Sequence, residues 1–390
     1  MNGPLAVRMF SSWQVRCGIA SYAADLVGAL RALPATQVEV VAYDRQRHPR
    51  RDYVAWGEAM NGGDVAHVQH EYSFFGYLVP WQNQYGAFIT RIRRPLVITR
   101  HVTFDGPLAV PGSGLGHTIY QAKWAAYNRW LGPYATYLNK GVFAHADRII
   151  VLSARLKEHL VARGLAADKI HVIPAGVPAV PTATGGAALR ARWGWQDKHI
   201  LGIFGYITPA KGHRLAVAAL AQLPKDVVLL VAGGVRRSRD RAALDDLQRD
   251  IAAAGLQERV RITGFVEEGD VPAHMAACDL LLYPATHADS SYSLVTGLAY
   301  GCAPVVASDV YGHREVAERK AGITLIASGD AAGLARCSEE LLGATERRAA
   351  LLAEAAAYAA ANTWAAVAEQ TRQVYLQAQE DWQHKQRAEA

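Results

Sequence analysis

Short apolar runs recur along this chain, separated by stretches whose apolar positions keep helical spacing. Residues 5–10 read as a strand. From Ile19 to Leu33 the apolar positions 19, 22, 23, 26, 27 and 30 fall on one helix face. Residues 38–42, 65–68, 96–99 and 148–152 follow as expected strands. Ser153 stands where it would cap a helix over 154–163, and 170–173 closes the first half. Residues 174–186, rich in Pro, Gly, Thr and Ala, read as a linker. Beyond it the same alternation returns, with strands at 200–204, 227–232, 260–263, 280–283 and 304–307. Helices are expected over 213–222, 239–254, 271–276 and 293–301, and the alanine-rich stretch 331–377 favours helix by propensity.

Near-continuous apolar strands alternating with helices imply an α/β chain with two doubly wound parallel sheets. The length of 390 residues exceeds one ordinary core and also favours two domains. Ligands of such sheets lie beyond the carboxyl ends of the strands, so the chemistry is expected in a cleft between the halves.

Composition adds compartment and partner. Hydrophobic residues make up 51% and charged residues 19%, as in globular chains. The net charge of +6 is uneven: residues 1–175 hold 19 Lys and Arg against 11 Asp and Glu. A basic first half suits an anionic acceptor or an acidic membrane surface, and equally an ordinary solvated surface. Cys17, Cys278, Cys302 and Cys337 form no CxxC pair, which argues against a zinc site or disulfide framework. The first residues lack the apolar core of a signal peptide, and no run is long enough to span a bilayer. The expectation is a cytoplasmic protein, at most resting on a membrane face, with no nucleic-acid partner.

The most telling stretch is 203–212, Ile-Phe-Gly-Tyr-Ile-Thr-Pro-Ala-Lys-Gly. A strand ends at Gly205, and Lys211 stands at the head of a helical pattern, where free backbone N–H groups already favour an anion. A second loop-to-helix element brings Asp289, Ser290, Ser291, Tyr292 and Ser293, rich in hydroxyl and N–H donors. Together they read as a clamp for a diphosphate. His70 and Glu71 end the strand beginning at Val65 and could orient an acceptor hydroxyl. Tyr120, Trp124, Tyr127, Leu131 and Tyr134, near Lys123, Arg129 and Lys140, share helical spacing. They suit core packing first and a membrane-resting face second.

The order of these elements resembles the family 4 retaining glycosyltransferases of GT-B fold. It is carried by Cys17-Gly-Ile-Ala20, His101, the segments 144–153 and 169–177, the 204–212 turn, Leu230-Val-Ala-Gly-Gly234, Gly264-Phe-Val266 and Leu298-Ala-Tyr-Gly301. The resemblance implies two Rossmann-like domains facing a central cleft, at residues 1–178 (acceptor side) and 179–365 (nucleotide-sugar donor side). It also implies a last helix, 366–390, crossing back to the first domain. Lys211 would bind the donor diphosphate and stabilise the departing charge, and His101 would touch the donor sugar near the reaction centre. Gly18 would let the phosphate approach the backbone. Gly234, Phe265 and Val266 would line the nucleotide side, and the 289–293 turn would cradle phosphate.

Two positions depart from the family. Tyr206 stands where an arginine is usual, and Thr296 where the second of two family glutamates holds the ribose; the first falls at Ala288, where the neighbouring Asp289 could stand in for it toward the transferred sugar. What is implied is a retaining hexosyl transfer from a nucleotide-diphosphate sugar to a hydroxyl of a sugar-containing or lipid-linked acceptor, with no cofactor and no metal. The alternatives are a transferase-like binding subunit and another GT-B enzyme, such as a sugar-nucleotide epimerase or a phosphorylase. A dinucleotide dehydrogenase is disfavoured, because no G-x-G-x-x-G follows an expected strand.

Overall fold

Strands Leu5–Ser12 (β1), Thr36–Tyr43 (β2), Val65–His70 (β3), Leu96–Arg100 (β4), Arg148–Val151 (β5) and Ile170–Val172 (β6) form one parallel sheet in the order β2-β1-β3-β4-β5-β6. This computed structural model describes residues 3–15, 17–76, 82–102, 118, 119, 122, 129, 140–235, 241–288 and 292–389. Tyr120, Lys123, Trp124, Tyr127, Leu131 and Tyr134, and the loop residues Asp289, Ser290 and Ser291, lie outside the described residues.

The edge strand β2 alternates buried and exposed positions, whereas β3 and β4 are buried along their whole length. That burial includes His67, Gln69, His70, Thr99 and Arg100, so each polar side chain must find its partners inside the protein. The pairing register sets Gln69 beside Thr99, and His67 between Met9 and Val97.

Strands His199–Phe204 (β7), Val227–Ala232 (β8), Val260–Ile262 (β9), Leu280–Tyr283 (β10), Val305–Ser308 (β11) and Ile323–Ile326 (β12) form the second parallel sheet, in the order β12-β11-β10-β7-β8-β9. Both faces are apolar: Leu201, Leu229, Leu280 and Leu282 pack on one side, and Ile200, Val228, Leu230 and Leu281 on the other. The strand order reverses between β7 and β10. At such a switch point the loops leaving adjacent strands splay to opposite faces and open a crevice.

The chain divides into two compact units, Met1–Ala175 with Trp364–Ala390, and Gly176–Thr363. The sequence suggested divisions near 178 and 365. The helix Trp364–Glu389 packs on the helix Gly18–Ala32 and on the strands of the first sheet. Arg148 Nη2 holds Asp381 at 3.0 Å, and Lys385 pairs with the buried Asp147.

Several elements were not read from the sequence: β12 and the helices Arg50–Ala59, Gly186–Trp193 and Tyr311–Glu318. The alanine-rich end is three helices, Ala331–Gly343, Thr345–Ala361 and Trp364–Glu389, rather than one run. All four cysteines are free, and among the described residues no helix is long and apolar enough to cross a membrane.

Candidate functional site

Three segments of the second unit meet at the carboxyl ends of β7 and β10. Lys211 closes a single 3-10 turn, Pro209–Lys211, in the loop leaving β7. Gly212 follows with φ of 74°, and a Cβ there would lie 1.7 Å from the Pro284 carbonyl oxygen just after β10. Only glycine allows both that backbone conformation and that approach. The Thr286 amide donates to the Ala210 carbonyl at 2.9 Å and ties the same two loops together.

The third segment is the start of the helix Tyr292–Tyr300, where Lys211 Nζ donates to Ser293 Oγ at 2.8 Å. The buried Tyr283 hydroxyl donates to the Ser293 carbonyl at 2.9 Å and fixes that residue from behind. A pocket of about 150 Å³ opens here, lined among others by Thr208, Ala210, Lys211, Tyr283, His287 and His313.

The electrostatics single out Lys211. Burial lowers its pKa from the ordinary lysine value, because the amine end is enclosed although the residue as a whole is partly exposed. Burial, and then the nearby Lys211 charge, pushes His213 down to about 4. Burial is also the main cause of the fall of His313 to about 4. Near neutral pH the two imidazoles are uncharged beside one ammonium. An anion entering the pocket would neutralise that ammonium and offset its desolvation.

The other described residues expected on the donor side lie in the loops after β7, β8 and β9 and in the helix Tyr292–Tyr300. Tyr206 lies partly exposed in the β7 loop. The carbonyl of Gly234, in the loop after β8, accepts from the Ile207 amide at 2.9 Å, and a Cβ on Gly234 would sit 3.1 Å from the Phe265 amide. Phe265 is 45% exposed, an unusual setting for a large ring, while Val266 packs onto the apolar core. Tyr292 is partly exposed at the helix start. The Thr296 hydroxyl donates back to the Tyr292 carbonyl at 2.9 Å, so toward a ribose it has only acceptor capacity to offer. His287, His313 and Tyr283 were not singled out from the sequence. Their signal is position alone: Tyr283 ends β10, His287 follows it, and His313 stands in the first turn of the helix Tyr311–Glu318 after β11.

In the first unit His101 is 7% exposed just past β4. Its Nε2 lies 2.8 Å from Gln69 Oε1, its ring meets Tyr22 edge-on at 4.9 Å, and burial pushes its pKa down to about 3. Gly18 is exposed at the first turn of its helix, with nothing among the described residues within 4 Å of an added Cβ.

His70 departs from its expected part. It is 1% exposed and packed among the rings of Tyr72, Phe75, Tyr85 and Phe143. Because side chains alternate along a strand, His67 and Gln69 share a face and His70 takes the other, which here is the aromatic core. Glu71 is partly exposed and accepts a hydrogen bond from Ser73. Of the two, only Glu71 keeps its side chain partly open to solvent.

Comparison with known proteins bears on the family and the fold. Residues 198–344 match the family described as Glycosyl transferases group 1, and residues 59–179 match Glycosyltransferase Family 4. The chain is 30% identical over 257 residues to a 2-deoxystreptamine glucosyltransferase of Streptomyces kanamyceticus, covering 61% of this chain and 64% of that protein. It is 32% identical over 247 residues to a D-inositol 3-phosphate glycosyltransferase of Xylanimonas cellulosilytica, covering 61% and 58%. The chain therefore spans about three fifths of the length of these curated relatives. Among solved structures, Anabaena HepE in complex with UDP and glucose superposes with a TM-score of 0.73 at 19% identity, over 95% of this chain and 98% of that one. The fold is GT-B.

Proposed function

We propose that this chain, which belongs with the GT-B glycosyltransferases by its fold and by both family matches, moves a sugar from a nucleotide-diphosphate donor to an acceptor hydroxyl with retention of configuration. The observation that carries the donor half is the 2.8 Å contact between Lys211 Nζ and Ser293 Oγ. It gathers an ammonium, a hydroxyl and a helix N-terminus at one point of the sheet's switch. A leaving diphosphate gains negative charge as the glycosidic bond breaks. A fixed cation with N–H donors stabilises that charge more than it stabilises the bound donor. Lys211 supplies the charge, the Ser293 hydroxyl supplies a neutral donor, and Tyr283 keeps Ser293 from turning away.

His101 faces the sugar and Glu71 the acceptor. The solved relative holds UDP and glucose, and the curated relatives are named for 2-deoxystreptamine and D-inositol 3-phosphate. Both facts support a nucleotide sugar as donor and a hydroxyl as acceptor. No metal is required in this scheme, because Lys211 already supplies the positive charge at the diphosphate.

Incubation with a panel of nucleotide sugars and hydroxylated acceptors, with NMR of the product anomer, tests the reading. The expected result is release of a nucleoside diphosphate and the donor's own anomeric configuration, undiminished by EDTA. An inverted product would refute retention. Lys211→Ala should cost on the order of 2–4 kcal/mol in the barrier, as for loss of one oxyanion donor, and unchanged turnover would remove Lys211 from the mechanism. A second reading, a binding subunit without catalysis, draws on Thr296, whose hydroxyl is turned inward where a ribose-binding carboxylate would stand. Absence of turnover with every donor, together with nucleotide binding, would favour it.

A further inference from the structure

The interior of the first unit holds a chain of polar side chains that the proposed chemistry leaves unexplained. Tyr375 Oη lies 2.6 Å from His67 Nδ1. His67 Nε2 lies 2.7 Å from Thr99 Oγ1 and 3.3 Å from Gln69 Nε2, and Gln69 Oε1 lies 2.8 Å from His101 Nε2. His67, Gln69, Thr99 and Tyr375 are fully buried, and His101 is 7% exposed. Three elements contribute: β3, β4 with the residue that follows it, and the C-terminal helix Trp364–Glu389.

A primary amide has one end that only accepts and one end that only donates. Its oxygen faces His101 Nε2, so that nitrogen must carry a proton. Its NH₂ lies 3.7 Å from Met9 Sδ and 3.3 Å from His67 Nε2, and it donates to that nitrogen when the nitrogen is bare, as it is when the Thr99 hydroxyl also donates there. Both histidines are held neutral by burial, with pKa values pushed down to about 3, and a neutral imidazole carries a single proton. His67 must therefore be protonated on Nδ1, from which it donates to the Tyr375 hydroxyl.

We propose that Gln69 is a positioning residue whose amide sets two histidines in opposite tautomers, holding His101 as the Nε2–H form so that its Nδ1 is a proton-free acceptor for a hydroxyl of the sugar. The sugar-hydroxyl part rests on the reading of His101 as a donor-sugar contact. The tautomer part does not. Bound in this way, His101 can receive a hydrogen bond but cannot give one from Nδ1, which selects a hydroxyl donor at that point of the sugar. Tyr375 anchors the far end, so the C-terminal helix contributes to the setting of His67.

Nitrogen-15 NMR of the full chain labelled at histidine tests this, with His101 assigned by the signals lost in His101→Asn. The expected spectrum shows His101 protonated on Nε2 only and His67 on Nδ1 only, both unchanged between about pH 5 and pH 8, where free imidazoles titrate. Gln69→Leu, close in size, should release His101 to a mixture of tautomers. Tyr375→Phe should disturb His67 and leave His101 as it was. A proton on His101 Nδ1 in the native protein would overturn the proposal, as would a His101 spectrum indifferent to Gln69→Leu. Should Gln69→Leu fail to fold, the native spectrum alone decides. No substrate enters the experiment, so the tautomer assignment and the transferase reading stand or fall separately. Loss of turnover in His101→Asn is the measurement that bears on the second.

Discussion

Lys211 and Ser293 are 82 residues apart in the chain and 2.8 Å apart in the fold, which makes this pair the finest-grained test of the site. Ser293→Ala removes one neutral partner from the ammonium and one hydroxyl from the anion's surroundings. It should weaken nucleoside diphosphate binding by about 1 kcal/mol, the usual worth of one hydrogen bond, in a titration against the unaltered protein. Burial lowers the Lys211 pKa, so in the free protein the charge is lost as pH rises, at a lower pH than for an ordinary lysine. The account expects kcat/KM to fall on that alkaline limb and expects Lys211→Arg to move the limb upward. A profile flat up to ordinary lysine pKa values would contradict it. Gly212 shows the structural cost of the arrangement. Gly212→Ala should destabilise the second unit by roughly 1–3 kcal/mol from its positive φ alone, before the clash with Pro284 is counted, as read by chemical denaturation.

At the scale of elements, the interior strands were legible because burial on both faces leaves an unbroken apolar run, as in Val227–Ala232 and Leu280–Tyr283. Ser153 caps its helix as expected, accepting from the Leu156 amide. Elements that escaped the reading lack that contrast. The helix Arg50–Ala59 buries only Tyr53 and Gly57, and β12 is an edge strand with one buried residue. The same distinction holds at the site. Lys211 announces itself by standing between a strand and a helix, a local pattern. The His67–Tyr375 contact spans 308 positions, and no local pattern encodes it. His70 misled because its neighbours in sequence are polar, while its face of β3 belongs to the aromatic core. The C-terminal helix gives an element-level expectation. Asp381→Ala breaks a partly exposed ion pair and should cost at most about 1 kcal/mol. Tyr375→Ala empties a fully buried site and should cost about 3–5 kcal/mol. Thermal melts of both variants would check the contrast, and similar losses would contradict it.

For the molecule as a whole, the buried histidines set a dependence on acidity. His67, His70 and His101 are pushed from 6.5 down to about 3, and His213 and His313 to about 4, burial being the main cause for each. Below pH 6.5 the unfolded chain takes up protons that the folded chain refuses. Stability therefore falls as pH falls from about 6.5 toward 4, by on the order of 1 kcal/mol per histidine per pH unit. Urea unfolding at pH 7.5 and at pH 5 should give clearly separated midpoints, and coincident midpoints would refute the buried-neutral assignment. In the proposed function, donor binding depends on the charge at Lys211, a dependence that calorimetric titration of the native protein and of Lys211→Ala with a panel of nucleoside diphosphates tests most directly. The account predicts that at least one nucleoside diphosphate binds the native chain and binds Lys211→Ala about tenfold or more weakly, a difference of at least 1.4 kcal/mol. Equal affinity for the two proteins, or no binding to the native chain, would contradict it.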